Sequence, residues 1–106
     1  MDKRAAVRVP VRVPALCRSR GRVINGFIED LSRTGMFLRA PELVAMGSSA
    51  EIELEVPGEE PLHLTARVVR VEHNPQRAGM GLRLFVDEQD RRPLANFIMR
   101  QHQTLR

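Results

Sequence analysis

The chain has 106 residues, a length that suits one domain with a modest core. A composition of 42% hydrophobic and 28% charged residues excludes a largely disordered chain. The net charge of +4 rests on arginine, since Lys3 is the only lysine, and it suits an anionic partner as well as it suits a GC-rich genome. No run approaches the roughly 18 apolar residues of a membrane span, and no signal-peptide core is present, so we expect a cytoplasmic protein.

Strand patterns dominate the first 86 residues. The segment "VRVPVRVPALC" alternates, with prolines on its outer face, which indicates an edge strand or one that joins the sheet only partway. Cys17 falls within this alternation, which predicts a buried structural thiol. After the turn "SRG", the segment "RVINGFIED" places Ile24 and Ile28 on one side of a second strand. "TGMFLRAP" is a short third strand that Pro41 ends.

Three further strands follow the loop "PELVAMGSS". "AEIELEVP" is the clearest alternation, with Ile52, Leu54 and Val56 pointing inward. "LHLTARVVRVEH" is a long fifth strand, and its alternation breaks at Val68 and Val69, which predicts a bulge or a bend. "MGLRLFV" is a sixth strand with every second residue inward.

The hydrophobic period then changes to that of a helix. "DEQDRRPLANFIMRQHQTLR" brings Leu94, Phe97 and Ile98 near one face, with Asp90 as the expected N-cap and Pro93 in the first turn. Six strands followed by one helix predict a small antiparallel barrel or a sandwich. The helix would either cover one mouth of the barrel or pack against its wall.

Metal and catalytic sites find little support in the sequence. His63, His73 and His102 are scattered and share no ligand spacing with a cysteine or a carboxylate cluster, so we expect no metal. Ser32 and Asp30 have neither a G-x-S-x-G elbow nor a nearby histidine, so we expect no catalytic residue and no enzyme.

Small barrels often bind single-stranded nucleic acid through aromatic platforms on their strands. This chain has no Trp, no Tyr and four Phe. We expect that Phe27, Phe37 and Phe85 form no spaced stripe with arginines. Binding of nucleic acid would then rest on basic charge alone.

The segment "EDLSRTGMFLRAP", residues 29–41, has two interpretations. In the first, Asp30 and Ser32 bond nearby backbone N–H groups and Gly35 adopts a positive φ, as turn residues do. In the second, Asp30 accepts from N1–H and N2–H of a guanine, Ser32 bonds a phosphate or the base, and Gly35 lets the ligand approach the backbone. Arg4 and Arg8, just ahead of the first strand, can each grip a phosphate or a guanine edge with two parallel hydrogen bonds.

These residues resemble the motifs of the PilZ domain family, bacterial receptors for cyclic di-GMP (c-di-GMP). The family carries R-x-x-x-R before the first strand and [D/N]-x-S-x-x-G between the second and third strands. Residues 30–35, "DLSRTG", match the second motif at every fixed position, and Arg4 and Arg8 match the first in type and place. "MFLRAP", "GMGLRLFVD" and the terminal helix also look like the family, so the resemblance covers essentially the whole chain.

The resemblance implies an all-β fold, a six-stranded antiparallel β-barrel with a C-terminal α-helix. The chain would be a single domain over residues 1–106, with a flexible arginine-bearing arm at residues 1–9, the barrel over residues 10–86 and the helix over residues 87–106. The implied c-di-GMP site contains Lys3, Arg4, Arg8, Asp30, Ser32 and Gly35. A basic residue at position 3 favours an intercalated pair of ligands.

Three functions are consistent with the sequence. The first is a c-di-GMP receptor without cofactor or catalytic activity, whose arm closes over the ligand and presents a new surface to an unidentified downstream protein. We expect no effector domain on the chain, so its output would pass through another molecule or through oligomerisation. The second is a PilZ-fold interaction module of motility or surface machinery that binds a protein and no nucleotide. The third is a small basic nucleic-acid binder, against which the missing aromatic platforms argue.

Overall fold

The computed structural model describes residues 8–104, which form six strands and one helix. In chain order these are β1 Val9–Ser19, β2 Arg22–Leu31, β3 Gly35–Arg39, β4 Ser49–Leu54, β5 Leu62–Glu72, β6 Gly79–Phe85 and α1 Glu88–Thr104. The strands close into an antiparallel barrel in the order β1-β2-β3-β6-β5-β4. The predicted six-stranded barrel with a C-terminal helix is therefore confirmed.

The alternation of apolar and polar residues places the core inside the barrel. Ile52 and Leu54 of β4 are buried while Glu51 between the strand's inward residues is exposed, and Ile24 and Ile28 of β2 are both fully buried. These strands thus give one face to the interior, as their sequences predict, and leave the other face for surface chemistry. Strand β3 differs, because its first four residues are all buried.

Strand β1 has a neighbouring strand on both sides over only part of its length. It pairs with β2 along most of its length but with β4 only over residues 15–18. The first half therefore has one neighbour, which suits Pro10 and Pro14, because proline has no N–H to donate to a second one. Of the two predicted alternatives, the strand that joins only partway is the one observed.

The hairpin between β1 and β2 turns on two residues. Arg20 and Gly21 both have positive φ angles, 55° and 76°. Two such residues form the type I′ turn whose twist matches that of the flanking strands.

The only cysteine lies in the barrel interior. Cys17 is fully buried, opposite Ile24 of β2 and Ile52 of β4. Burial raises the pKa of the Cys17 thiol, because its thiolate would lose hydration there. The predicted buried thiol is confirmed.

Helix α1 completes the core. Leu94 and Phe97 are both buried within the same apolar cluster as the barrel interior. The helix therefore packs against the barrel interior, in contact with β1 and β5. Within residues 8–104, no helix is long and apolar enough to cross a membrane.

The expected N-cap of this helix is wrong. Helix α1 begins at Glu88, and the backbone N–H of Asp90 donates to the carbonyl of Asp87 at 2.9 Å, which places Asp90 in the first turn. Acidic residues there interact favourably with the positive end of the helix dipole. Pro93, which suggested a later start, lies inside the helix on its exposed side.

Candidate functional site

A β-bulge in β2 turns Asp30 outward. Ile28 faces the interior, so strict alternation would bury Asp30 as well. The register against β3 instead shifts at Glu29, so that Asp30 pairs on the outer face and Leu31 returns to the interior, where it is fully buried. One extra residue thus aims the carboxylate at the surface, a common use of bulges near functional sites.

A second bulge, in β5, does the same for Arg70. The register against β6 shifts at Val69, so the break predicted at Val68 and Val69 is confirmed as a bulge. Val69 is half exposed, and Arg70 lies on the outer face opposite Gly81. Two irregular strands therefore direct opposite charges to one surface of the barrel.

Asp30 and Arg70 end one row of residues across four strands. Asp30 of β2 pairs with Phe37 of β3, Phe37 with Gly81 of β6, and Gly81 with Arg70 of β5. With neighbouring strands about 4.8 Å apart, the row spans about 14 Å. A carboxylate thus stands at one end and a guanidinium at the other, with Phe37 and Gly81 between them.

A parallel row widens this surface. Gly35 of β3 lies opposite Arg83 of β6, and Arg83 lies opposite Arg67 of β5. The two rows contribute to an open cleft of about 510 Å³, whose lining includes Arg8, Asp30, Gly35, Arg70, Gly81 and Arg83. We call it the outer cleft.

The outer cleft brings residues of both predicted motifs together. Arg8 Nη2 donates to Asp30 Oδ1 at 2.6 Å, although the two residues are 22 positions apart. A Cβ added to Gly35 would lie 3.6 Å from Arg8 Nη1, so the guanidinium also borders Gly35. Both charged groups remain accessible, with side-chain exposures of 52% and 32%. Lys3 and Arg4 lie outside the described residues.

The Ser32 side chain forms hydrogen bonds within the β2–β3 turn. It is fully buried, and its Oγ accepts from the backbone N–H groups of Thr34 and Gly35 at 3.2 and 3.1 Å. Its hydroxyl also lies 3.3 Å from the carbonyl of Gly35, to which it can donate. The turn interpretation accounts for these bonds, whereas the ligand contact expected on the barrel surface stays a prediction.

The positive φ expected at Gly35 is wrong. Among residues 8–104, positive φ occurs at Arg20, Gly21, Gly47 and Gly58. Gly35 instead opens β3, and an added Cβ would come within 2.9 Å of the carbonyl oxygen of Leu82. Glycine is needed there because two strands approach closely.

Arginines and phenylalanines, which the sequence does not arrange in a spaced stripe, nevertheless meet in individual pairs. The guanidinium of Arg12 lies 4.1 Å from the ring centroid of Phe27, and that of Arg70 lies 5.3 Å from Phe37. Two further arginines lie over Phe85, which is 44% exposed. These pairs join different strands, so spacing along one strand could not reveal them.

Two residues of the outer cleft were missed from the sequence. Arg70 and Arg83 belong to neither predicted motif, and neither forms an ion pair with an acidic residue within the described part of the chain. The signal was present only indirectly, in the broken alternation at Val69 and in the glycine at position 81 that faces it.

A closed barrel with an arginine ahead of β1 and a D-x-S-x-x-G turn before β3 agrees with the resemblance seen in the sequence. The family model described as PilZ domain matches residues 2–100. The chain belongs to the PilZ domain family. A search of curated proteins finds no match to the chain.

Solved structures share this fold. The PilZ domain of YcgR from Escherichia coli, solved with c-di-GMP, is 15% identical with a TM-score of 0.82, and the match covers 99% of this chain and 95% of that one. The PilZ domain of CeSA from a cellulose-synthesising bacterium is 21% identical with a TM-score of 0.69, covering 88% and 95%.

The Bacillus subtilis inhibitor of motility, MotI/DgrA, is also similar. It is 18% identical with a TM-score of 0.79, and the match covers 100% of this chain and 54% of that one. This chain therefore spans about half the length of that protein. At these identities the likeness is one of fold.

Proposed function

We propose that the protein is a c-di-GMP receptor that binds its ligand in the outer cleft. The observation that carries this proposal is the ion pair between Arg8 and Asp30, which joins one residue from each family motif beside Gly35. The YcgR PilZ domain with c-di-GMP, which has a similar fold, supports it.

Each group in the cleft has a role that its chemistry suits. The carboxylate of Asp30 accepts from N1–H and N2–H of a guanine, a pattern that adenine lacks. Arg8, held at the cleft by Asp30, turns its fork toward a phosphate or the O6/N7 edge. Gly35, which has no side chain, leaves room for the Arg8 guanidinium beside it, and Ser32 fixes the turn that leads into Gly35.

Closure of the arm is the proposed output. The arm ahead of β1 carries Lys3 and Arg4, whose ammonium and guanidinium groups respectively would fold over the bound nucleotide, with Lys3 favouring an intercalated pair. The new surface then engages a downstream protein, so the chain acts as an adaptor without catalysis. We expect the protein to act in the cytoplasm. Its similarity in fold to an inhibitor of motility makes motility the first process to examine.

Calorimetric titration with c-di-GMP, with GTP as the control ligand, tests the proposal. We expect tight selective binding, with two ligands per chain if the pair forms. Arg8→Ala should weaken binding at least about tenfold, since it removes a charge-assisted bidentate contact. Arg22→Ala is the matched control, because Arg22 also forms an exposed ion pair, with Glu42 at 3.1 Å, away from the cleft. Absence of binding by the unaltered protein would contradict the receptor role, and an unaffected Arg8→Ala would misplace the site.

A further inference from the structure

Arg70 and Arg83 form a second basic wall of the outer cleft. They lie on β5 and β6, on the opposite side of the cleft from Arg8 and Asp30. Both side chains are exposed, and neither has an acidic partner among residues 8–104. Arg8, on the opposite side of the cleft, is paired with Asp30, whereas Arg70 and Arg83 have no acidic partner within the described part of the chain.

The second wall includes an arrangement that costs stability. Arg83 lies directly opposite Arg67, and like charges in opposed positions of a sheet repel each other. Both guanidinium groups also lie near the ring of Phe85, at 5.7 and 5.8 Å. An anion bound beside Arg83 would relieve this repulsion.

The Arg70 side chain packs against Phe37 and Gly81. Its guanidinium lies 5.3 Å from the centroid of Phe37, and the ring of Phe37 is only 4% exposed. An added Cβ at Gly81 would lie 3.2 Å from Cβ and 3.4 Å from Nε of Arg70, so the side chain runs closely along that glycine. One side of the guanidinium is thus supported by the protein, and the exposure of Arg70 leaves the other side to solvent.

The ring of Phe37 has no room to serve a ligand directly. It packs so closely on β6 that an added Cβ at Gly79 would come within 2.6 Å of it, and Arg70 lies over it. The chain has no Trp or Tyr that could replace it. Arginine planes can themselves stack on bases, as they do in RNA recognition.

We propose that Arg70 is the stacking platform for a guanine base of the ligand, and that Arg83 binds a phosphate as a charge. This inference rests on the proposed function and adds to it two ligand-binding residues that belong to neither family motif. The row from Asp30 to Arg70 gives the ligand hydrogen bonds at one end and a stacking plane at the other.

Lysine substitutions separate the two roles. Arg70→Lys keeps the charge but removes the plane, so we expect c-di-GMP binding to weaken about tenfold, as much as in Arg70→Ala. Arg83→Lys keeps the charge that a phosphate needs and should bind within about threefold of the unaltered protein, whereas Arg83→Ala should lose about tenfold. Arg77→Lys, an exposed arginine in the β5–β6 turn, is the matched control.

A spectroscopic readout distinguishes stacking from charge. The chemical shifts of the H8 protons of bound c-di-GMP, measured by NMR, should change in Arg70→Lys because the stacking plane is lost. In Arg77→Lys these shifts should stay as they are in the unaltered protein. If Arg70→Lys binds normally with unchanged H8 shifts, the stacking role is overturned. If the unaltered protein does not bind c-di-GMP at all, the proposed function itself fails, and the two failures are thereby distinguished.

Discussion

Two buried serines of this chain differ in their hydrogen bonding and therefore in what their removal should cost. Ser32 accepts from two backbone N–H groups of the β2–β3 turn, whereas Ser48, a residue only 6% exposed, has a buried Oγ with no hydrogen-bond partner among residues 8–104. Ser32→Ala should lower the free energy of unfolding by about 1–3 kcal/mol, because buried donors lose their acceptor. Ser48→Ala should be neutral or stabilising. Urea denaturation of both variants makes the comparison, and equal losses would contradict the role of Ser32 in the turn.

Asp30 should matter far more for binding than for stability. Its ion pair with Arg8 is partly exposed, and such pairs contribute about 0–1 kcal/mol to folding. Asp30→Ala should therefore melt close to the unaltered protein, while c-di-GMP affinity falls at least about tenfold because a methyl group can neither accept from the guanine nor hold Arg8. Glu42→Ala, which breaks the exposed pair with Arg22, serves as the control and should change neither property. Calorimetry and thermal melting together test this prediction, and a large loss of stability in Asp30→Ala would point to a structural role instead.

At the scale of elements, alternation predicted strands such as β4 well because they bury one face and expose the other. The Val69 bulge was predictable for the same reason, since two adjacent apolar residues break the period. The Glu29 bulge carries a weaker signal, two successive acids between Ile28 and Leu31, and was missed. The start of α1 was misplaced at Asp90 because Pro93 was expected in the first turn, whereas the helix begins at Glu88 and contains Pro93 in its interior.

Helix α1 should be needed for the stability of the barrel it packs against. Phe97 is buried at 1% exposure within the barrel's own apolar cluster, whereas Met99 on the same helix is 57% exposed. Phe97→Ala should therefore cost about 3–5 kcal/mol, and Met99→Ala less than about 0.5 kcal/mol. Denaturant unfolding measures both. If the two variants unfolded alike, the helix would be a peripheral element and the core would end at the strands.

At the scale of the whole molecule, the outer cleft depends on pairings that the sequence does not display. Arg8 and Asp30 could be named from motifs, but their contact requires β1 and β2 to pair across 22 positions. Arg70 and Arg83 join them only because β5 and β6 close the sheet beside β3. Register, rather than residue type, decides which arginines of an arginine-rich chain share a site.

Cys17 offers a probe of this closed barrel as a unit. Its thiol is fully buried and its pKa is raised, so a disulfide reagent should react only when the barrel opens. In the opened state the thiol regains its usual value, 9.0, so labelling should accelerate as the pH rises toward it. The folded barrel releases that proton less readily than the unfolded chain, so its stability should fall as the pH rises above 9.0.

Ligand should slow this labelling if c-di-GMP binds the closed barrel alone. At a concentration of about 100 times Kd, mass action stabilises the closed state by about 2.7 kcal/mol, which corresponds to labelling about 100-fold slower. GTP at the same concentration should leave the rate unchanged. The measurement is the rate of Cys17 modification with a chromogenic disulfide, under conditions where closing outpaces the reaction. A rate that c-di-GMP leaves unchanged, in protein shown by calorimetry to bind it, would mean that Cys17 becomes accessible by a local opening that spares the outer cleft.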